Sequence, residues 1–292
     1  MKSGFVTLIG RPNVGKSTLM NRLIGTKIAI TSHKAQTTRN RIETVYTDER
    51  GQIVFLDTPG IHRARTRLGE YMVGTARSTL SEVDLILWIT EPGDPFGEKE
   101  EQIASYLGGL KTPRMLVINK SDTAGEETIA ACRDRFYGKV DFQSFRAVSA
   151  LTGAGCEELM EDIYSCLPEG PLYYEEDAIT DQTLRELAGE LIREQALRIL
   201  SQEVPHGIAV EVESFEEGED MTRIQAALVC EKESHKGIVI GKGGATLKKI
   251  GTGARLEIEK LLECKTDLRL FVKVRKDWRN DSRQLKNFGY RK

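Results

Sequence analysis

The run Gly10-Arg11-Pro12-Asn13-Val14-Gly15-Lys16-Ser17, with Thr18 behind it, sets two glycines, a lysine and two hydroxyls between an apolar stretch (residues 5–9) and a helical pattern (residues 16–24). The spacing G-x-x-x-x-G-K-[ST] between a strand and a helix is that of a phosphate cradle. Glycines let the main chain wrap an anion closely, and N–H groups at the helix start point at its oxygens. In that setting Lys16 reaches the β- and γ-phosphate oxygens and the Ser17 hydroxyl ligates Mg²⁺.

The base is chosen further along. Asn119-Lys120-Ser121-Asp122 follows the apolar run 115–118, where strands of an α/β sheet end and ligands bind. The Asp122 carboxylate can accept from N1–H and the 2-amino group of guanine, whereas adenine would leave it unmet, a difference of roughly 10⁴ in selectivity. Ser149-Ala150, at another strand end, supplies backbone N–H groups for the guanine oxygen. Asp57-Thr58-Pro59-Gly60 closes the run "IVFL"; Asp57 suits Mg²⁺ held through water, and the Gly60 N–H suits the γ-phosphate. In "TSHKAQTTRNR", Thr38, with Thr37 as the alternative, can complete the Mg²⁺ shell, and such loops order on a γ-phosphate and relax after hydrolysis. The expected ligands are therefore GTP, its product GDP, and Mg²⁺. Arg63, Arg65 and Arg67 can act as an in-cis finger or as a solvated charged loop; His33 and His62 read as loop residues.

A second glycine turn, "IVIGKGGATLKK" over residues 238–249, lacks the spacing of the first and joins two helices. Gly241-Lys242-Gly243-Gly244 instead fits G-x-x-G, the loop by which a KH domain clamps about four nucleotides of a single strand. Lys242 and the helix start behind it face phosphates, Ile238 and Ile240 floor a groove for unstacked bases, and Lys248 and Lys249 extend the basic rim. Trp278, Phe288 and Tyr290 in the basic tail can stack on bases or pack in the core.

The elements that carry these groups alternate. Apolar runs at residues 5–9, 53–56, 84–90, 115–118 and 145–149 are separated by helical patterns at 16–24, 98–107, 126–136 and 157–167, which predicts an α/β fold: a mostly parallel sheet with helices on both faces. Residues 41–48 and 52–56 predict a hairpin and an antiparallel edge. Residues 1–168 thus form a nucleotide-binding domain, and the proline-containing, acidic stretch 169–181 reads as a linker. Residues 182–292 follow in the order α-β-β-α-α-β: an amphipathic helix of about 20 residues, strands at 208–215 and 222–230, a short helix, a helix at 245–262 and a strand at 268–274.

Composition agrees. The chain has 292 residues, 39% hydrophobic and 29% charged, enough for two domains. No apolar run is long enough to span a membrane and the N-terminus lacks a signal-peptide core, so the chain reads as cytoplasmic. Five cysteines without a C-x-x-C pair read as free thiols. The net charge of −2 hides an asymmetry: residues 236–292 hold 16 Lys and Arg against 6 Asp and Glu. That basic end points to a polyanion partner.

"GRPNVGKST", "QTTR", "DTPG" and "NKSD", in that order, resemble the GTPase superfamily, in its translation-factor branch. Where Ras-type enzymes carry a glutamine after the D-x-x-G glycine, this chain has Ile61, which resembles the GTPases with a hydrophobic residue there and implies slow intrinsic hydrolysis. Related GTPases with an asparagine at the position of Asn13 use K⁺ beside the phosphates, which implies the same here. With the type II KH arrangement behind the connecting run "PLYYEEDAITDQTLRELAGELIREQAL", the whole chain resembles the Era family of bacterial GTPases. The resemblance implies a monomeric RNA-binding GTPase acting in assembly of the small ribosomal subunit. It implies binding near the 3′ end of the small-subunit ribosomal RNA and peripheral association with the inner membrane. Two other readings stand beside it. One is a GTP-switched RNA-modification or remodelling factor, for which no nucleophile set is present; the other is a KH adaptor without turnover, against which Lys16, Ser17 and Asp57 argue.

Overall fold

The computed structural model describes residues 1–32, 34, 37–59 and 64–290. His33, Ala35, Gln36, Gly60, Ile61, His62, Arg63 and the last two residues lie outside them. The chain divides into two compact units, one of Met1–Ala29, Thr38–Ala64 and Gly69–Asp181, the other of Ile30–Thr37, Arg65–Leu68 and Gln182–Lys292.

The first unit is built on β1 (Lys2–Ile9), β2 (Ile42–Asp48), β3 (Gly51–Asp57), β4 (Leu85–Thr90), β5 (Arg114–Ile118) and β6 (Ser144–Ala147), ordered β2-β3-β1-β4-β5-β6. All neighbours run parallel except the β2–β3 hairpin at one edge. Helices α1 (Lys16–Ile24), α2 (Arg67–Leu80), α3 (Glu98–Leu107), α4 (Glu126–Tyr137) and α5 (Cys156–Cys166) cover it. Alternate residues of one strand serve opposite cores. Leu85, Leu87 and Ile89 pack with Leu19, Leu23, Leu159 and Ile163. Ile86 and Trp88 pack with Ala76, Leu80, Ile103, Leu107 and Phe136. With both faces buried, the strands need apolar residues at every position, which is why they read as continuous runs. Because β1, β3, β5 and β6 are parallel, Gly10, Asp57, Asn119 and Ser149 all emerge at one edge of the sheet.

Helix α2 is not evident from the sequence reading. Its buried Leu68, Met72, Ala76 and Leu80 recur every four residues, but Gly69 and Gly74 interrupt the propensity signal. Residues 169–181 are also less free than a linker. Gln52 accepts from the Tyr173 and Tyr174 amides (2.8 and 2.9 Å) and donates to the Tyr174 carbonyl (3.1 Å). The Val45 N–H donates to the Ile179 carbonyl at 2.8 Å, and Thr44 bridges Thr180 antiparallel. The segment thereby covers the outer edge of β2, whose main-chain groups would otherwise lack partners.

In the second unit, α6 (Leu184–Ile199) opens with a capping box in which Thr183 and Glu186 exchange bonds. Strands β7 (Ala209–Glu216), β8 (Met221–Cys230) and β9 (Lys265–Val274) form a sheet, antiparallel then parallel. With α7 (Glu233–Ile240) and α8 (Ala245–Leu262) the order is the expected α-β-β-α-α-β. Ile192, Ala196, Ile224, Leu228, Val239, Ile250 and Ile258 form the core. Trp278 is fully buried and donates from Nε1 to the Gly207 carbonyl at 2.9 Å; Phe288 and Tyr290 lie 5.2 and 6.2 Å from its ring. These three aromatics are packing residues. A further helix, α9 (Ser282–Asn287), capped by Asp281, was not foreseen. Residues 30–37 are held in this unit: Glu194, fully buried, accepts from the Thr31 N–H at 2.8 Å, and Arg193 donates to the Thr37 carbonyl.

Candidate functional site

At the carboxyl end of β1 the loop 10–17 turns into α1. Gly15 has φ +92°, and a Cβ there would sit 2.3 Å from Asn119 Nδ2, so both conformation and crowding require glycine. The loop is tied to the base-reading segment. Asn119 donates from Nδ2 to the Val14 carbonyl at 2.8 Å and accepts the Ala150 N–H at 3.0 Å; Lys120 donates to the Asn13 carbonyl at 2.9 Å. The Arg11 side chain pairs with Asp94 and, at 2.6 Å, with the buried Glu100. Sequence reasoning missed Asp94 and Glu100, which follow no motif. It also missed Asn21 on α1, whose Oδ1 accepts the Ile28 and Ala29 amides at 3.1 and 2.9 Å.

Three side chains foreseen as Mg²⁺ ligands come together. Ser17 Oγ and Thr38 Oγ1 donate to Asp57 Oδ2 at 3.0 and 2.9 Å and lie 3.4 Å from each other. The other Asp57 oxygen, Oδ1, is buried without a partner among the described residues. A buried carboxylate oxygen left unmet, beside two hydroxyls, fits a hard cation bound through oxygens and water. Thr37 is occupied differently, donating to the Lys34 carbonyl at 2.7 Å, so Thr38 is the threonine of this cluster. Burial pushes the Asp57 carboxyl up, against the opposing pull of Lys16 and the two hydroxyls.

Lys16 donates from Nζ to the Gly10 and Arg11 carbonyls at 3.1 and 3.0 Å. Burial lowers its ammonium to about 8, partly offset by Asp57. Phosphate oxygens beside Nζ favour the charged form and raise that value again. Nucleotide binding is therefore expected to take up a proton through Lys16 above about pH 8, and affinity to fall by up to about tenfold per pH unit there. Calorimetry at pH 8.5 in buffers of different ionisation enthalpy checks this, since proton uptake makes the observed heat depend on the buffer. A buffer-independent heat would refute it.

Asp122 lies exposed in a turn after β5, while Pro12 is half-buried and Thr18 exposed on α1. Thr58 and Pro59 are buried behind Asp57; Gly60 lies outside the described residues, as do Ile61 and Arg63. Arg67 donates from Nη1 to Ser282 at 2.7 Å.

In the second unit, Gly241, Gly243 and Gly244 all have positive φ (74, 59 and 81°). A Cβ on Gly241 would sit 2.2 Å from Thr246 Oγ1, so the sharp turn from α7 into α8 depends on its absence. Val239 is fully buried and anchors α7, leaving Ile238 49% exposed beside the turn and Ile240 half-buried. Lys242, Lys248 and Lys249 are exposed around it. The turn thus carries exposed apolar surface and three exposed lysines, which form no ion pair among the described residues.

The chain matches two family models: a "50S ribosome-binding GTPase" over residues 5–120 and a KH domain over residues 203–279. It is 53% identical to GTPase Era of Alkaliphilus metalliredigens over 291 residues, covering 99% of each chain. It is 51% identical to GTPase Era of Geobacter metallireducens over 295 residues, covering 99% of this chain and 98% of that one. An Aquifex aeolicus Era variant solved with GDP·AlF4⁻ superimposes with a TM-score of 0.95 at 39% identity over 99% of each chain. An Era structure with MgGDPNP and nucleotides 1506–1542 of 16S ribosomal RNA gives a TM-score of 0.95 at 40% identity, again over 99% of each.

Proposed function

The chain belongs to the Era family of GTPases, and from that premise we propose that its second unit binds the 3′-terminal region of small-subunit ribosomal RNA during subunit assembly, under control of the nucleotide on the first. The observation that carries this reading is the turn at residues 241–244, a G-x-x-G bend with exposed Ile238 and three exposed lysines, in a chain whose Ser17, Thr38 and Asp57 converge at the end of a phosphate cradle. Hydrolysis transfers the γ-phosphoryl group of GTP to water and releases GDP. Lys16 and the amides of the cradle meet the charge on the phosphate oxygens. Ser17, Thr38 and Asp57 would hold Mg²⁺, the hydroxyls directly and the carboxylate through water, and the ion would supply positive charge against the phosphate oxygens. Asp122 reads the guanine edge.

Control of the RNA follows from where the loop before Thr38 is attached. Thr31 and Thr37 are hydrogen-bonded to Glu194 and Arg193 of α6, and the residue after Thr37 is the Mg²⁺ ligand. A γ-phosphate that draws Thr38 to the ion therefore pulls on a segment tied to the RNA-binding unit. By family resemblance Asn13, exposed at the cradle, recruits K⁺, and hydrolysis is expected to be faster in K⁺ than in Na⁺. Monomeric behaviour and peripheral membrane association rest on family resemblance; among the described residues no helix is long and apolar enough to cross a membrane.

The test is RNA affinity in two nucleotide states. A single-stranded oligonucleotide of the small-subunit 3′ end is expected to bind about tenfold tighter to the protein loaded with a non-hydrolysable GTP analogue than with GDP. By linkage the RNA must then favour the analogue over GDP by the same factor. Equal RNA affinity in both states removes the coupling, and failure to bind the oligonucleotide at all removes the RNA assignment.

A further inference from the structure

Fewer amides are free to meet a purine 6-oxo group at the end of β6 than the sequence suggests. Ser149 donates its N–H to the Ala154 carbonyl at 2.9 Å, and Ala150 donates its own to Asn119 Oδ1 at 3.0 Å. The next amide, that of Leu151, donates to none of the described residues, and Leu151 is 74% exposed. The peptide joining Ala150 to Leu151 is trans, so its carbonyl and its N–H point in opposite directions.

What lies on the carbonyl side is specific. Arg22 Nε donates to the Ala150 carbonyl at 3.0 Å, and Arg22 Nη2 donates to the Leu151 carbonyl at 2.5 Å. Arg22 belongs to α1, the helix that begins at Lys16 in the phosphate cradle. One rigid helix therefore holds the phosphate loop at its start and the base-side turn near its end. Two successive carbonyls suit the planar fork of a guanidinium, which offers separate donors in fixed directions, and do not suit the single point of an ammonium. A positive charge on the carbonyl oxygen also polarises the peptide and strengthens its N–H as a donor.

We propose that Arg22 is a positioning residue for guanine recognition, fixing the Ala150–Leu151 peptide from behind so that the Leu151 N–H is presented to the purine 6-oxo oxygen. The proposal rests on the reading of Asp122 and the 149–151 turn as the guanine pocket. The turn is pinned independently by Asn119 and by the Ser149 hydroxyl, which accepts the Thr152 N–H at 3.1 Å. Loss of Arg22 thus frees one peptide and leaves the fold in place.

The test compares GDP with 6-thio-GDP, which keeps both donors to Asp122 but offers sulfur, a larger and weaker acceptor, at the 6-position. In the full chain, Arg22→Ala is expected to weaken GDP binding about three- to tenfold, the scale of a charge-assisted bond in partial contact with water. It should weaken 6-thio-GDP less, so the preference between the two narrows. Arg22→Lys, keeping the charge without the fork, should fall between. Equal losses for both nucleotides, or no loss for either, overturn the proposal. Thermal unfolding of each variant is measured alongside, and a loss of fold would lower both affinities equally. Asp122→Asn tests the pocket itself: it should exchange guanine for xanthine preference, because an amide donor meets the 2-oxo group. Absence of that exchange overturns the pocket reading, whatever Arg22 does.

Discussion

Lys16→Ala is expected to reduce kcat/KM for GTP hydrolysis by about 10²- to 10⁴-fold, equivalent to about 3–5 kcal/mol of transition-state stabilisation. The lysine supplies the full positive charge of a cradle otherwise made of amide dipoles, and its Nζ lies against the Gly10 and Arg11 carbonyls at the mouth of the loop. The same substitution should leave the nucleotide-free fold almost untouched. Burial lowers the Lys16 ammonium to about 8, from an ordinary value well above 10. The sign follows directly. A cation whose folded value lies below its unfolded one is costly to the folded state while it stays protonated, so at neutral pH its removal relieves a penalty of the order of 3 kcal/mol. Against this stand two carbonyls that lose a donor. The two effects are of similar size, so the melting temperature should shift by only a few degrees while activity collapses. Phosphate release at saturating Mg²⁺, measured beside thermal unfolding without nucleotide, separates the two. A large drop in melting temperature would make Lys16 a structural residue and void the catalytic reading.

That contrast also explains what the sequence could show. Gly10 to Ser17, Asp57 and 119–122 are contiguous patterns at strand ends, so a parallel sheet brings them to one edge without any further information. The α-β-β-α-α-β order and its G-x-x-G turn are legible for the same reason, because each element's period is local. Choices that depend on which side chain faces which partner are not. Thr37 and Thr38 are adjacent and identical in type; only Thr37's bond to the Lys34 carbonyl and Thr38's to Asp57 distinguish them. Arg22 and Glu100 lie outside any motif and acquire their roles from partners far along the chain. Residues 169–181 carry the proline, glycine and charge of a linker, yet their main chain finds β2 and Gln52. Helix α2 escaped because its two glycines lower propensity, whereas burial of Leu68, Met72, Ala76 and Leu80 decides its structure.

Replacing Lys242, Lys248 and Lys249 together by alanine is expected to weaken binding of the single-stranded RNA by about a hundredfold at 0.1 M salt. The excess of basic residues in 236–292 is not uniformly available. Arg255 pairs with Glu259, Lys260 with Glu257, Arg269 with Asp267, Lys273 with Glu213, Arg275 with Glu211 and Arg279 with Glu231. Lys242, Lys248 and Lys249 form no ion pair among the described residues and are exposed at the glycine turn and the first turns of α8. Other basic residues of this stretch, Lys265, Lys276 and Lys286 among them, are exposed as well, but Lys242, Lys248 and Lys249 are the ones at the glycine turn, where their charge can meet phosphate. Each phosphate neutralised on a single strand releases about 0.7 counterion, so three lysines should flatten the slope of log K against log salt by about 2. Extrapolated from 1 M, where that contribution vanishes, a slope change of about 2 is about two decades of affinity at 0.1 M. Lys260→Ala, removing a charge already tied to Glu257 at 3.0 Å, should leave the slope unchanged. GTP hydrolysis without RNA should be the same in all variants, since none of these residues belongs to the nucleotide unit. Titrations at four salt concentrations give the slope, and an unchanged slope in the triple variant would move the RNA to another face of the domain.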